Sequence, residues 1–393
     1  MKCPICNSRS TMIFLEREKV PIHQHILISQ REAARGINCG KLKLRYCEDC
    51  TFIFNDCFDS SKLEYGDSYD NSQFHSSYFN TYVDSLVDYL IEKKNVRNCN
   101  IVEVGCGDGT FINKLIKKDK KNIGVGFDPS YKTNAIINNS RLSFIKEYYG
   151  PKFKNIRADV VISRHVIEHV PNPLEMLISM REALLNSQYA RVFLETPCVE
   201  WILENKVVWD FFYEHCSYFS TASLQHALQT AGFAVDEIRH TFNGQYLWAE
   251  AHLNQKQIWN VDKPQGYTEL VKSFSATEAQ IVKCFSQKLE NLRSKHKIAI
   301  WGAGAKGVTL ANLVDPGCSL IDCFIDVNPH KQNLYVPGTG HPIISWKELQ
   351  NKGITAAIIM NPNYRHEIEC ILQEAGFVVE LIEFDVSKIN VKS

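Results

Sequence analysis

The sequence of 393 residues lacks a long apolar run, an apolar N-terminal segment and a net charge. Its apolar stretches fall short of the roughly 20 residues that a helix needs to cross a bilayer. The 44 Lys and Arg residues balance 44 Asp and Glu residues, which leaves no overall field for nucleic acid or an anionic membrane. The first residues, Met-Lys-Cys-Pro-Ile-Cys, have no signal-peptide pattern. We therefore expect a cytoplasmic protein that binds neither nucleic acid nor membrane.

Cysteine is sparse along most of the chain but dense at its start. Of 14 cysteines, six lie in the first 57 residues, and in a cytosolic chain such a cluster favours metal binding over disulfides. The pairs Cys3-Pro-Ile-Cys6 and Cys47-Glu-Asp-Cys50 can together offer four thiolates to a tetrahedral zinc ion. Four thiolates leave no open position, so we predict a structural Zn²⁺ site. Free cysteines in a reduced domain are the alternative.

The rest of the chain divides by pattern. From residue 100, short apolar strands alternate with helical segments, which indicates an open, mostly parallel sheet flanked by helices. A polar stretch without glycine from Thr268 to Lys297 predicts a linking helix, and a second strand–turn–helix pattern begins at its end. The predicted units are a cysteine-rich domain at 1–75, a first α/β domain at 76–253, a helical linker at 254–295 and a second α/β domain at 296–393.

The strongest motif is the glycine turn Glu103-Val-Gly-Cys-Gly-Asp-Gly109, between a predicted strand and a predicted helix. Such a turn can hold a nucleoside at a sheet edge, because glycine lets the backbone approach a ligand and adopts unusual dihedral angles. The spacing Gly105-x-Gly107-x-Gly109 favours S-adenosylmethionine (SAM) over a dinucleotide. A tight turn that binds no ligand is the alternative.

Three acidic residues extend this prediction along the sheet edge. Glu103 lies inside the strand, where its carboxylate can face the methionine part of SAM. Asp128 ends the next strand, where a carboxylate can accept hydrogen bonds from both ribose hydroxyls. Glu147 follows the third strand and is the candidate for the adenine end.

Two histidine-bearing segments follow the fourth and fifth predicted strands, where the carboxyl ends of a parallel sheet open onto a cofactor. The first contains His165, and the second contains the pair Glu214-His215 between aromatic residues. Such a pair suits a base that a carboxylate holds and tunes in a partly dry pocket. A single histidine is more often structural, but the joint position at the strand ends favours a catalytic role.

Together these motifs resemble three-domain SAM-dependent C-methyltransferases of nucleotide-activated deoxysugars. The resemblance covers nearly the whole chain and implies an N-terminal zinc domain, a central class I SAM methyltransferase domain and a Rossmann-like C-terminal α/β domain that closes on the substrate. Besides both Cys pairs and the glycine turn, it rests on the order and spacing of Tyr65-Gly-Asp-Ser-Tyr69, Arg164-His-Val-Ile-Glu-His169, Tyr213-Glu-His-Cys-Ser-Tyr-Phe219, Gly244-Gln-Tyr246 and Gly302-Ala-Gly-Ala-Lys-Gly307.

The resemblance also implies a mechanism. A 4-keto sugar on a nucleoside diphosphate loses its C3 proton to His215, which Glu214 orients, and the enolate attacks the sulfonium methyl group. His165 and Tyr69 would contact the sugar or stabilise the enolate oxygen. Stabilising that oxygen should matter most, since the ketone makes C3 acidic only if the negative charge that develops on its oxygen is stabilised.

Two features depart from the family pattern. Phe212 stands two places before the Glu of the Glu-His pair, where the family often has a tyrosine, so a phenol is lost unless Tyr213 or Tyr218 replaces it. The long stretch between the Cys pairs, with Val20-Pro-Ile-His-Gln-His25, is also atypical. Both departures leave open an acceptor other than a keto sugar.

The C-terminal domain carries Gly302-x-Gly304-x-x-Gly307 and, at the end of the next strand, Asp326, which together form a dinucleotide fingerprint. The domain has little beyond one mononucleotide half, and the resemblance implies a degenerate fold that binds no NAD. Asn361-Pro-Asn-Tyr364 could line the substrate cleft, while Lys306 is expected to begin a solvated helix.

Several readings remain open. The favoured one is C-methylation of a small molecule, a nucleotide-linked sugar, by a monomer or weak homodimer. Methylation of oxygen or nitrogen on another small molecule is an alternative. An NAD-dependent oxidoreductase that uses the C-terminal domain, and a zinc-dependent binding module with an inactive SAM domain, are further alternatives.

Overall fold

The structure, a computed structural model, describes residues 1–63, 66, 68–132, 140–153, 155–253 and 266–384, and residues 136–137 by their backbone. Within these ranges, the chain forms three β-sheets with helices packed against them. None of the helices in these ranges is long and apolar enough to cross a membrane. Tyr65, which belongs to one family motif, and residues 254–265 of the predicted linker lie outside the described residues.

The elements are numbered here in chain order. The strands are β1 (Thr11–Pro21), β2 (Cys39–Cys47), β3 (Ile53–Asn55), β4 (Asn100–Val104), β5 (Ile123–Phe127), β6 (Ile136–Ile137), β7 (Leu142–Ile145), β8 (Val160–Arg164), β9 (Arg191–Pro197), β10 (Ser217–Tyr218), β11 (Phe233–Thr241), β12 (Tyr246–Leu253), β13 (Ile298–Trp301), β14 (Cys323–Ile325), β15 (Ile343–Ile344), β16 (Ala356–Ile359) and β17 (Glu380–Glu383). The helices are α1 (Arg31–Arg35), α2 (Ser77–Glu92), α3 (Thr110–Lys118), α4 (Pro173–Leu184), α5 (Val199–Glu204), α6 (Thr221–Thr230), α7 (Tyr267–Arg293), α8 (Ala305–Val314), α9 (Leu349–Lys352) and α10 (Arg365–Glu374). Single 3₁₀ turns lie at Ser60–Lys62, Pro151–Phe153, Ile167–His169, Val208–Asp210, Trp346–Glu348 and Pro362–Tyr364.

The N-terminal sheet is antiparallel, with the strand order β1-β2-β3-β10. Its last strand comes from far downstream, where Ser217 pairs with Phe54 and Tyr218 pairs with Ile53. The sheet therefore crosses the boundary predicted at residue 75. This pairing ties the chain just after His215 to the N-terminal unit.

The middle sheet has eight strands in the order β11-β12-β9-β8-β4-β5-β7-β6. The five central strands are parallel, and antiparallel strands lie at both sides. The chain runs outward from β4 through β5 and β7 in one direction, and then through β8 and β9 in the other. Ligands bind at such a switch point, outside the carboxyl ends of the strands. The mostly parallel sheet predicted from the sequence is confirmed.

The C-terminal sheet is fully parallel, with the order β15-β14-β13-β16-β17. It has strands on both sides of β13, so the unit is larger than the mononucleotide half that the sequence predicted. The additional strands are β15 and β17, and segments of two and four residues are too short to give a clear apolar pattern.

Helix α7 joins the N-terminal and C-terminal sheets into one apolar core. Its buried residues recur at helical spacing, among them Phe274 and Phe285. The ring of Phe274 packs 6.5 Å from Phe14 of β1, and the ring of Phe285 packs 4.2 Å from Phe384 beyond β17. Each fully buried phenylalanine contributes about 1.5–3 kcal/mol of apolar burial. The helix thus holds the N-terminal and C-terminal units together.

Candidate active site

The glycine turn after β4 lies at the switch point of the middle sheet. Gly105, Gly107 and Gly109 adopt positive φ angles of 71°, 55° and 78°, which glycine tolerates best. A Cβ added to Gly105 would lie 2.0 Å from Val166, and one added to Gly109 would lie 2.3 Å from Phe144. At Gly107 the space is open. The first and third glycines therefore allow close packing, and the second leaves room for a ligand.

Two of the predicted acidic residues flank this turn. Glu103 is buried, which raises its pKa to about 8, and its carboxylate accepts the Ile112 N–H at 3.1 Å. Asp128 accepts the Gly107 N–H through Oδ2 and the Ser130 N–H through Oδ1, both at 2.8 Å. A carboxylate has about four lone-pair sites, so Asp128 keeps capacity for a ribose hydroxyl. The glycine turn and these two acidic residues suit the binding of SAM, and the role of each residue stays a prediction.

Glu147 lies at a different kind of position. It follows β7 on the surface, its side chain is 48% exposed, and it accepts a hydrogen bond from Lys152 at 2.5 Å. The adjacent Tyr148 is also exposed. The structure places Glu147 at the predicted end of the third parallel strand, but its contact with adenine stays a prediction.

The four N-terminal cysteines converge, as the two Cys-x-x-Cys pairs predict. Their sulfur atoms all lie within 4.8 Å of one another. The Sγ atoms of Cys3 and Cys50 are 3.5 Å apart, as are those of Cys6 and Cys47. Zn–S bonds of about 2.3 Å in a tetrahedron place sulfur atoms about 3.8 Å apart. The four thiols therefore fit a structural zinc ion with little movement.

If the cluster holds the predicted zinc ion, Cys47→Ser should lose it and lower the free energy of unfolding by several kcal/mol, since structural zinc contributes roughly 10–16 kcal/mol of apparent binding free energy in small zinc domains. Native mass spectrometry gives the zinc content, and thermal unfolding gives the stability. Cys57→Ser is the matched control, because Cys57 is exposed and lies outside the cluster. A Cys47→Ser protein that keeps one zinc ion per chain would contradict the assignment.

A cleft lies between the carboxyl edges of the middle and C-terminal sheets, and the N-terminal segment forms a further wall. All four predicted catalytic residues, His215, Glu214, His165 and Tyr69, line this cleft. The structure therefore brings together side chains that lie up to 146 positions apart in the sequence. Further acidic and basic residues in the lining are His25, His75, Glu168, His169, Asp210, Lys306, Asp326, Lys331 and Glu367.

Hydrogen bonds between units hold the cleft together. The side-chain amides of Gln245 and Asn361 bond reciprocally at 2.9 and 3.0 Å. On the opposite side, Glu367 accepts hydrogen bonds from the Ser76 hydroxyl and the Ser77 N–H at the start of α2, both at 2.6 Å. The last contact places a carboxylate at a helix N-terminus, where the helix dipole favours negative charge. These contacts fix the C-terminal unit over the cleft.

His165 begins the segment that follows β8, and it is held as a cation. Its φ angle is 55°, a left-handed conformation that costs a bulky residue about 1–3 kcal/mol and that clusters at active sites. Its Nε2 lies 2.6 Å from Glu195 in an ion pair without hydrogen-bond alignment, and its Nδ1 lies 3.6 Å from Glu168. Burial alone would lower the pKa of His165, but the two carboxylates raise it to about 9.

Glu195, which the sequence analysis did not single out, organises this corner of the cleft. Burial would raise its pKa, but the charges of Arg164 and His165 hold the pKa at about 2. Its Oε1 accepts a hydrogen bond from Arg164 at 3.1 Å, and its Oε2 accepts one from the Tyr82 hydroxyl at 2.8 Å. Its place at the carboxyl end of β9, next to β8, is the signal that could have identified it.

His215 has the opposite environment. Burial, followed by the charges of His169 and His165, lowers its pKa well below the usual range. Its ring packs 4.2 Å from the ring of Phe212 and 4.7 Å from that of His169. His215 is therefore neutral at neutral pH, and its ring is available to accept a proton.

The predicted interaction between Glu214 and His215 is wrong. The carboxylate of Glu214 is fully buried and lies 3.1 Å from His23 Nδ1 through one oxygen, while the other accepts the Gln24 N–H at 3.1 Å. The chain turns at Glu214, which directs this side chain toward the stretch between the Cys pairs. Glu214 therefore braces that stretch against the cleft, and a catalytic role for it stays a prediction.

Tyr69 reaches the cleft from the N-terminal side. It forms a single β-bridge with Ile26, and its ring lies 6.1 Å from His23 and 5.8 Å from His25. The stretch between the Cys pairs, noted as atypical in the sequence, therefore forms the wall around Tyr69. Its contact with a substrate stays a prediction.

Neither tyrosine near Phe212 replaces the missing phenol. The hydroxyl of Tyr213 accepts the Asp59 N–H at 2.9 Å, and that of Tyr218 bonds to the backbone of Phe212 at 3.1 Å. Both side chains are buried outside the cleft lining. Tyr246 does line the cleft, with its ring 4.5 Å from that of His165. Tyr246 therefore places a phenol ring against His165 in the charged corner of the site.

The C-terminal glycine turn faces the same cleft. Gly302 has a φ angle of 106°, and the Ala303 N–H donates to Asp326 at 2.8 Å. The expectation that Lys306 begins a solvated helix is wrong. Its Nζ pairs with Asp210 at 2.5 Å, across the boundary between units, because the N-terminus of α8 points into the cleft.

Comparisons with known proteins give relatives of low identity. The tRNA U34 carboxymethyltransferase of Campylobacter fetus subsp. fetus (strain 82-40) is 25% identical over 118 residues, which are 27% of this chain and 39% of that protein. An S-adenosylmethionine-dependent methyltransferase from Mesorhizobium loti is 14% identical with a TM-score of 0.35, over 43% of this chain and 99% of that one. The 1,6-didemethyltoxoflavin-N1-methyltransferase of Burkholderia thailandensis, solved with S-adenosylhomocysteine, is 12% identical with a TM-score of 0.32, over 46% and 88%.

Two family models match successive parts of the chain. Residues 75–238 match a methyltransferase domain, and residues 248–379 match a C-methyltransferase C-terminal domain. The first match includes the glycine turn and both histidine segments, and the second includes the turn at Gly302. Together with the mostly parallel sheet, they confirm the predicted fold class and the dependence on SAM. The chain thus matches, in order, the two domain models of a multidomain C-methyltransferase family.

Proposed function

We propose that this enzyme methylates a carbon of a nucleotide-activated 4-keto-deoxysugar. The observation that carries the proposal is the pair of histidines in one cleft. The pKa of His165 is raised to about 9, whereas that of His215 is lowered well below its usual range. Groups in one site whose pKa values are pushed apart are the natural candidates for opposite roles in proton transfer. His215 enters the reaction as a neutral base, and His165 enters it as a cation.

The proton step begins at the carbon next to the ketone. That C–H bond breaks, its proton forms an N–H bond on the His215 ring, and the electron pair moves onto the ketone oxygen to give an enolate. A positioned base contributes about 10²–10⁴-fold to such a step. The hydrophobic ring of Phe212 beside His215 keeps the imidazole poorly solvated. Its lone pair is therefore not taken up by water and can accept the proton of the substrate.

The enolate carries its negative charge on oxygen, and the cleft offers positive charge to meet it. The His165 imidazolium is fixed by its contacts with Glu195 and Glu168. A charge held in place before the reaction stabilises a developing charge without reorganisation. Tyr246, whose ring packs on His165, is a candidate donor for the same oxygen.

The cofactor turn and the histidine segment are in direct contact. Val166, next to His165, packs into the space at Gly105. When bound at this turn, SAM would supply an electrophilic methyl group for the enolate carbon, with its sulfur as the leaving group. The packing of Val166 on the turn therefore sets the distance between the open space at Gly107 and the charged corner of the cleft.

The C-terminal side of the cleft suits the anionic part of such a substrate. Lys331 is 6% exposed and donates to the carbonyl of Ala303, within the second glycine turn. The same turn opens α8, and a helix N-terminus with its free N–H groups favours phosphate. A diphosphate there would direct the sugar toward the two histidines. This argument supports a nucleotide-linked substrate rather than a neutral one.

Methylation of oxygen or nitrogen on another small molecule is the second candidate, because Phe212 removes a phenol that the resemblance implies. Both phenols next to it are committed to backbone groups. An acceptor with its own acidic O–H or N–H would need less help in forming an anion. Such an acceptor would undergo no exchange of a carbon-bound proton, which separates the two candidates.

The experiment incubates the protein in deuterated buffer with a panel of nucleotide-linked 4-keto-6-deoxyhexoses, first without SAM and then with methyl-labelled SAM. We expect one deuterium to enter the sugar at C3 without SAM, and one labelled methyl group to be added there with it. Mass spectrometry with fragmentation locates both changes. A labelled methyl group on oxygen or nitrogen, with no deuterium at carbon, would overturn the proposal.

A further inference from the structure

A carboxylic side chain lies near both histidines of the cleft. Glu168 belongs to the 3₁₀ turn Ile167–His169, and its side chain is 2% exposed. Its Oε2 accepts a hydrogen bond from the Thr196 hydroxyl at 2.9 Å. Its Oε1 has no hydrogen-bond partner within the part of the chain that the structure describes, and it lies 3.6 Å from His165 Nδ1. One oxygen is thus anchored and the other is available.

The available carboxylate lies beside the base. A carboxylate oxygen of Glu168, a ring nitrogen of His169 and a ring nitrogen of His215 all lie within 4.8 Å of one another. The backbone holds this arrangement, since the Cys216 N–H donates to the Glu168 carbonyl at 2.9 Å. The segment after β8 and the segment that carries His215 are therefore fixed to each other at this point.

Proton abstraction creates a positive imidazolium in a buried place, and most neighbouring groups oppose it. Those that face His215 and disfavour its charge are His169, His165, His25 and Lys306. A buried ion is tolerated when an opposite charge and a hydrogen bond compensate it. The carboxylate of the adjacent Glu214 is directed to His23 and Gln24 instead.

We propose that Glu168 is the positioning residue that compensates the charge on His215 when the base takes its proton. An oxygen of Glu168 accepts a hydrogen bond from the imidazolium, while Thr196 keeps the carboxylate in place. Glu168 also faces His165, so one carboxylate supports both the cation that is already present and the cation that forms. This assignment rests on the proposed function, in which His215 is the base.

The test replaces Glu168 by glutamine, which keeps the size of the side chain and removes its charge. In the wild type, C3–H exchange should fall as pH drops well below 6.5, when His215 becomes protonated, and again as pH rises through about 9, when His165 loses its proton. In Glu168→Gln we expect exchange at neutral pH to fall roughly 10- to 100-fold. Both the acidic and the basic limb of this pH profile should move to lower pH, because the pKa of each histidine falls when it loses a negative neighbour. Glu168→Asp should restore part of the rate and of the pH profile.

Glu214→Gln is the matched control, since it removes an equally buried carboxylate next to His215 that faces away from it. Its pH limbs should stay at the wild-type positions whatever happens to its rate. Unmoved limbs in Glu168→Gln, or the same shift in both variants, would overturn the assignment.

A second measurement needs no substrate. The ring signals of His215, assigned by their loss in His215→Ala, are titrated by NMR in the full chain, and we expect a lower midpoint in Glu168→Gln than in the wild type. An equal midpoint would overturn the role of Glu168. Absence of C3–H exchange in the wild type on every keto sugar would instead overturn the proposed function, so the two failures are distinguishable.

Discussion

His215→Ala should lose 10²- to 10⁴-fold in turnover and keep its affinity for SAM within about twofold. The loss follows from the removal of a neutral imidazole from the cleft. The pKa of His25 in the same lining is also lowered by burial, but its Nδ1 lies 3.4 Å from Lys331 Nζ. The affinity should persist because the glycine turn and Asp128 lie on other strands of the sheet. Calorimetry gives the SAM affinity, and the labelled-methyl assay gives turnover.

The control for this prediction is His226→Ala. His226 lies on α6, is half-buried and has a pKa lowered by burial, but it does not line the cleft. It therefore matches His215 as a partly desolvated histidine of the same domain. A His215→Ala enzyme with the wild-type rate, or an equal loss in both variants, would show that His215 is not the base.

The glycine turn could be predicted because its physics is local. Three glycines at alternate positions between a strand and a helix require the positive φ angles that the structure has. The sheet edge could also be predicted, since alternating strands and helices fix where the carboxyl ends of parallel strands meet. Asp128 and His165 follow from this rule, as each directly ends or follows a parallel strand.

The partner of Glu214 could not be predicted, because it depends on a contact between distant parts of the chain. Its neighbour in the sequence is His215, yet its carboxylate contacts His23, 191 positions away. The stretch that carries His23 has no pattern of its own that places it in the cleft. Only the folded N-terminal sheet, which includes β10 from near residue 217, brings the two together.

The contacts of Lys306 and Glu168 could not be predicted for the same reason, because they also depend on how distant parts of the chain pack. A lysine at the start of a helix is usually solvated, but the pairing of Lys306 with Asp210 depends on how the C-terminal unit docks. Glu168 was part of a recognised motif, yet its role depends on which oxygen Thr196 occupies. The edges of the sheets at which the candidate residues lie could therefore be predicted from the sequence, while the charge pairs among these residues depend on how the units pack.

Gly107→Val should abolish SAM binding, with an affinity loss of at least about 100-fold, and leave zinc in place. The φ angle of 55° costs a β-branched residue about 1–3 kcal/mol. The added side chain would also fill the open space beside the turn and hinder the approach of a nucleoside to the backbone. Calorimetric titration with SAM and native mass spectrometry for zinc measure the two properties in one preparation.

Gly107→Val has two effects, which are backbone strain and the filling of the space beside the turn. Gly376→Val separates them. Gly376 has a φ angle of 69° and equally open surroundings, but it follows α10 in the C-terminal unit. Both variants should lose comparable stability, because both place a β-branched residue in the left-handed region. Only Gly107→Val should lose SAM. If Gly107→Val bound SAM as the wild type does, the open space at this glycine would not be the cofactor's approach, and the prediction for the turn would fail with it.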